Sequence, residues 1–141
     1  MSTEEKKALI ERTIDLINER NFAGIDQMYA SSYVRHDPNT PQVRNREEYK
    51  QYVMVLCKIF PDLHFTIEDL LVDGEKVVCR FTTAGTHSRP WRSISATGKQ
   101  VTTSGIAISR VVGNEVVEDW FTNDLLGLAE QLGATLVHKE L

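Results

Sequence analysis

Leu63-His64-Phe65-Thr66-Ile67-Glu68, then Asp73-Gly74, then Lys76-Val77-Val78-Cys79-Arg80-Phe81-Thr82-Thr83-Ala84-Gly85, is the stretch that decides the fold. Leu63, Phe65 and Ile67 alternate with His64, Thr66 and Glu68, a period of two that belongs to a strand with one buried face. Asp-Gly is a tight hairpin turn, and the residues after it alternate again. Two antiparallel strands are therefore expected at the centre of the chain.

Downstream the pattern repeats. Gln100–Val112 and Glu115–Asn123 read as strands joined at Gly113-Asn114, and a long loop, Thr86–Lys99, separates the two hairpins. Upstream the period is helical. Ser2 and Glu5 have capping-box spacing, and Ile10, Ile14 and Ile17 form an apolar stripe on a helix ending near Asn21. A short helix over Gly24–Ala30 precedes an extended Tyr33–Pro38. Asn45 and Glu48 open a third helix with Tyr49, Tyr52, Val53, Leu56, Ile59 and Phe60 on one face, and Pro61 ends it. A last helix, Leu125–Leu132, is stopped by Gly133. Three helices, four strands and one helix, segregated along the chain, indicate the α+β class rather than a parallel doubly wound sheet.

The length of 141 residues suits one domain over 1–141. A net charge of −4 gives no basic footprint for nucleic acid. No segment is apolar and long enough for a membrane span, and Met1–Lys7 is not a secretory leader, so a cytoplasmic location is expected. Cys57 and Cys79 lack metal or disulfide spacing and read as reduced core residues. Neither a G-x-G-x-x-G nor a P-loop pattern occurs. No G-x-S-x-G elbow or H-E-x-x-H helix is present, so a serine nucleophile and a metal site are not expected.

A helix set against a curling sheet leaves a concave space for a small ligand. Asp124 closes the last strand at the rim of that space and precedes Leu125-Leu126. Partial desolvation there would raise its pKa toward that of a general base, while the alternative is that it simply caps the final helix. His36 and His87 are further proton-transfer candidates, or ordinary loop histidines. Arg80, within an apolar strand, either orients a substrate oxygen or forms a structural ion pair. Trp120, Trp91, Tyr33, Phe60 and Tyr29 are candidates to wall a flat ligand, or plain core. On the last strand, parity groups Val116, Glu118, Trp120, Thr122 and Asp124 on one face and Val117, Asp119, Phe121 and Asn123 on the other, leaving open which is inner.

His36-Asp37-Pro38, Phe60-Pro61-Asp62-Leu63, Ile67-Glu68-Asp69-Leu70, Val78-Cys79-Arg80-Phe81, Gly85-Thr86-His87, Thr97-Gly98-Lys99 and the tail Glu118-Asp119-Trp120 with Asp124, Gly127 and Gln131-Leu132-Gly133 stand in a specific order. In that order and spacing the chain resembles the SnoaL-like polyketide or ester cyclases of the nuclear transport factor 2-like superfamily. The resemblance implies a cone of curved antiparallel sheet wrapped by N-terminal helices, with dimers or higher oligomers formed through the sheet. It implies no metal or organic cofactor. It further implies an enzyme of cyclase, lyase or isomerase type, in which an aspartate at the position of Asp124 acts as general acid/base in an aldol closure. The chain departs from the pattern at Ser88-Arg89-Pro90-Trp91-Arg92-Ser93 and Ala96. It also departs at Asp119, where the family often has histidine.

The expectation is a cofactor-independent acid/base enzyme for a small hydrophobic carbonyl or ester substrate. Asp124, His36 and His87 would be catalytic, and Arg80, Trp120, Tyr33, Phe60 and Trp91 would bind substrate. A non-catalytic binding or dimeric scaffold domain is the alternative, and an epoxide hydration or small dehydration a third reading. A homodimer is expected through an outer sheet face carrying Ala107 and Val111.

Overall fold

The computed structural model describes residues 1–138. Helix α1 spans Thr3–Asn18 and begins at the anticipated capping box, Glu5 N–H donating to Ser2 Oγ over 3.1 Å. It ends three residues earlier than the pattern suggested, because Arg20 adopts a left-handed backbone with φ of 63°. The Arg20 guanidinium then donates to the carbonyls of Ile17, Pro61 and Leu63, tying the helix end to the start of the sheet. A 3-10 turn, Phe22–Gly24, leads into a one-turn α2, Ile25–Met28.

Strand β1 follows at once, Tyr29–His36, and is a fifth strand where four were expected. Helix α3 covers Arg46–Ile59 with its Asn45/Glu48 box in place. Strands β2 (His64–Asp73), β3 (Lys76–Thr86), β4 (Gln100–Val112) and β5 (Glu115–Asn123) form the meander, and α4 is Leu125–Gln131. The sheet order is β1-β5-β4-β3-β2, so it is open, with β1 and β2 at its edges. All pairs are antiparallel except β1 with β5, which is parallel. That pair needs a long connection, supplied here by α3 and the rest of the sheet. No local signal announced it.

Three register shifts interrupt the ladders, between Ile67 and Asp69, between Arg110 and Val111, and between Tyr29 and Val34. Bulges bend strands and increase twist, so the sheet curves around its inner face. One apolar cluster on that face gathers Leu9, Ile10, Ile25, Tyr33, Val77, Phe81 and Val116. A second, at the other end, gathers Phe60, Leu63, Trp91, Val101, Leu128 and Leu132.

Ala107 and Val111 lie on the inner face, not the outer one: Ala107 lines a cavity and Val111 is 2% exposed. The outer face instead carries a row that crosses every strand. His36 pairs with Trp120, Trp120 with Ile108, Ile108 with Val78, and Val78 with Leu71. Among the described residues, no helix is long and apolar enough to cross a membrane.

Candidate active site

Between the two clusters the sheet and α1 and α3 enclose a cavity of about 120 Å³. Its walls are mostly apolar, including Ile10, Val53, Leu56, Phe65 and Phe81. A polar group stands at one place on them. Arg35 on β1, Asp119 on β5 and Ser109 on β4 are register partners, so one inner row brings all three to the cavity wall.

The Asp119 carboxylate is buried and held from two sides. Tyr33 Oη donates to Oδ2 over 2.7 Å and Ser109 Oγ donates to Oδ1 over 2.5 Å. Burial raises its pKa above the ordinary carboxylate value; the two hydroxyl donors and Arg35 oppose that rise without cancelling it. Each oxygen keeps a lone pair. Burial and the Asp119 charge push the Tyr33 phenol far above its usual range, so it stays a proton donor. Cys79 also lines the cavity, and burial lifts its thiol to about 11, which leaves it a poor nucleophile near neutrality.

Arg35 has a side chain 2% exposed, and its Nη1 donates to Asp37 Oδ2 and Thr40 Oγ1, both over 3.2 Å. Its flat face is covered by Phe121, 4.6 Å from ring centroid to guanidinium carbon, with Tyr49 and Tyr52 at 5.2 and 5.5 Å. Asp37 in turn accepts from Asn39 N–H and Thr40 Oγ. The aspartate of the His36-Asp37-Pro38 turn thus anchors a buried cation.

Most of the residues anticipated for the site lie elsewhere. Asp124 is exposed, lines no cavity, and its Oδ1 accepts from Gly127 N–H over 2.9 Å as the cap of α4. We expect Asp124→Ala to cost about 0.5–2 kcal/mol of unfolding free energy, the usual value of such a cap, in denaturant titration. A larger loss would mean that the carboxylate holds more than the helix end. His36 lies on the outer face, stacked 5.4 Å from Trp120 and 2.7 Å from Glu118 through Nε2. Arg80 is also outside, in an exposed pair with Asp69 at 2.7 Å. His36, Arg80 and Trp120 are separated from the cavity by the sheet itself.

His87 is fully buried but sits behind Phe60, with Nδ1 accepting from Thr97 N–H. Its Nε2 is the one buried side-chain polar atom without a partner among the described residues. Phe60 and Trp91 do line the cavity, and Tyr33 reaches it through Asp119. Trp91 is held on the cavity wall by a turn bridged to Ile94, and Arg92 in that turn donates to the Asn39 carbonyl over 3.1 Å. No group of three or more His, Cys, Asp or Glu side chains suited to a metal ion occurs among the described residues.

Asp119 and Arg35 are the residues that sequence reasoning passed over. The signal for Asp119 was its place opposite Trp120, but parity fails on β5. Val111 pairs with Val116 and Arg110 with Glu118, so Val117 is an extra residue. Val116, at 0% exposure, therefore faces inward like Asp119, although simple alternation puts them on opposite faces.

The model of the SnoaL-like polyketide cyclases matches residues 7–132. Among solved structures, a proposed polyketide cyclase from Acidithiobacillus ferrooxidans is 30% identical over 94% of this chain and 97% of that one, with a TM-score of 0.83. TsrD from Streptomyces laurentii is 29% identical, covering 96% and 99%, at 0.85. IdmH from Streptomyces antibioticus, a proposed polyketide cyclase, is 25% identical, covering 92% and 99%, at 0.83. No curated protein sequence matches the chain.

Proposed function

The chain belongs to the SnoaL-like polyketide cyclase family, and from that premise we propose that it is a cofactor-independent acid/base enzyme for a small, hydrophobic, enolisable carbonyl or ester compound, with Asp119 as its base. The observation that carries this reading is a buried carboxylate on the wall of an apolar cavity, fixed by two hydroxyl donors. Removing a proton from a carbon beside a carbonyl needs a positioned base of raised pKa and little water. Asp119 meets both needs. Asp124 is exposed and committed to its helix end.

The cavity also limits the substrate. At about 120 Å³ it is slightly smaller than the roughly 150 Å³ engineered cavity that holds a benzene molecule. A single ring or a short acyclic chain fits; a fused polycycle would have to displace side chains of the wall. The test is exchange of the α-hydrogen of methyl acetoacetate with deuterium in heavy water, followed by NMR against a buffer control. Acceleration by the protein supports the reading. Binding seen by thermal shift with no acceleration would instead identify a non-catalytic binding domain.

The outer row of Trp120, Ile108, Val78 and Leu71 is the surface on which a second copy would pack. Leu71 is 64% exposed and Ile106, one row away, 45%. Two such sheets bury their apolar stripes face to face. Sedimentation at micromolar concentration is expected to give a dimer that Ile108→Arg converts to monomer. A monomeric parent protein would end this part of the proposal.

A further inference from the structure

We propose that Arg35 binds the developing enolate oxygens of the substrate through its Nε–Nη2 edge, making this cavity a site for a neutral compound with two oxygens on one side, such as a β-keto ester in its cis form. This inference rests on the acid/base reading of Asp119 and adds the group that takes up the charge.

The geometry isolates that edge. Nη1 is committed to Asp37 and Thr40, and the guanidinium face lies against Phe121, Tyr49 and Tyr52. Nε and Nη2 have no acceptor among the described residues. They are not sealed in protein either, because among the described residues His87 Nε2 is the only buried polar side-chain atom left without a partner. For a cavity-lining side chain only 2% exposed, the space they border is the cavity. Two parallel N–H groups on one guanidinium edge match two oxygens about as far apart as those of a carboxylate or a cis-enolate. The stacked rings and the Asp37 tether fix the plane of that fork before any ligand arrives, which is the condition for electrostatic stabilisation of a transition state.

Charge balance then selects the ligand. Arg35 is positive, Asp37 and an ionised Asp119 are negative, so the buried set already carries one net negative charge. A carboxylate ligand would double it in a medium that solvates charge poorly. A neutral β-keto ester does not. When its α C–H bond breaks, the proton goes to an Asp119 oxygen and the electron pair moves into the enolate, whose oxygens rest on Nε and Nη2. The net charge of the cavity is the same before and after, and reprotonation at carbon reverses the step.

The test follows deuterium exchange into methyl acetoacetate for the parent protein, Arg35→Lys, the double variant Arg35→Met/Asp37→Asn, and Asp119→Asn. Arg35→Lys keeps a cation beside Asp37 but has no fork, and the double variant removes both members of the Arg35–Asp37 pair together, so neither leaves half of that buried pair behind and the double variant keeps the net charge of the set. The expected result is a fall in kcat of about 10²-fold for both Arg35 variants, the usual cost of removing an oxyanion donor, with KM nearly unchanged. Arg35 variants that unfold at the parental temperature and exchange at the parental rate overturn the proposal, and if Asp119→Asn is inactive in the same series the acid/base reading survives it. A change confined to KM also overturns it, since it would assign Arg35 to ground-state binding alone. No exchange by the parent protein overturns both.

Discussion

Asp119→Asn is expected to reduce α-proton exchange by about 10²–10⁴-fold, the range supplied by a positioned general base, while leaving the protein folded. The amide keeps the shape of the carboxylate and can still bond to Tyr33 and Ser109, but it cannot take the proton. The same substitution has a pH signature in stability. A carboxyl whose pKa is raised by burial binds its proton more tightly in the folded chain than in the unfolded one. Its stabilising contribution is complete below the unfolded value of about 3.9 and is lost as pH rises through the folded value. The parent protein should therefore lose stability relative to Asp119→Asn over that interval, and the variant should have the higher Tm at neutral pH. Exchange rates and thermal unfolding, measured on both proteins from acid to neutral pH, check the two effects together. Retained exchange would remove Asp119 from the mechanism; a Tm difference that does not vary with pH would mean that the carboxylate is not desolvated as the fold implies.

Asp37→Ala is expected to be the most destabilising single change near the site, by about 3–5 kcal/mol, because it leaves the Arg35 charge buried without its partner. Both side chains of this pair are almost sealed, at 2% and 1% exposure. The loss also frees Thr40 Oγ and Asn39 N–H, which donate to Asp37 over 2.9 Å each. The exposed Arg80–Asp69 pair, at 51% and 58%, provides the comparison. Asp69→Ala should cost no more than about 1 kcal/mol, since water screens that pair. Chemical denaturation of the two variants decides the matter. Equal, small losses would show that the Arg35 charge finds solvent when Asp37 is gone, and would weaken its use as a fixed electrostatic group.

Local periodicity made the secondary structure legible where one face of an element meets the core. The capping boxes at Ser2 and Asn45, the Asp73-Gly74 and Gly113-Asn114 turns and the meander are all in place. Tyr29–His36 was harder, because a short strand after a one-turn helix has too few residues to establish a period. Its parallel pairing with β5 joins segments more than eighty residues apart, which no local pattern records.

The candidate site was less legible for the same kind of reason. Sequence reasoning pointed to Phe60 and Trp91 as substrate-binding residues, and both line the cavity. It favoured Asp124 because a carboxylate at a strand end next to leucines resembles a rim acid, whereas the nearby Gly127 N–H engages it as a cap. Arg80 and Trp120 looked inward by chemistry and face outward by register.

What the sequence determined by itself is the α+β class, the hairpins, the caps and the family, because these depend on neighbours a few residues away or on ordered motifs along the chain. What only the tertiary structure decided is which acid meets the cavity. That depended on one extra residue at Val117, which reverses the alternation of β5, and on β1 pairing with β5 so that Arg35 stands beside Asp119. A period of two carries no memory of an inserted residue, and the positions of charges across a sheet are set by strand register rather than by distance along the chain.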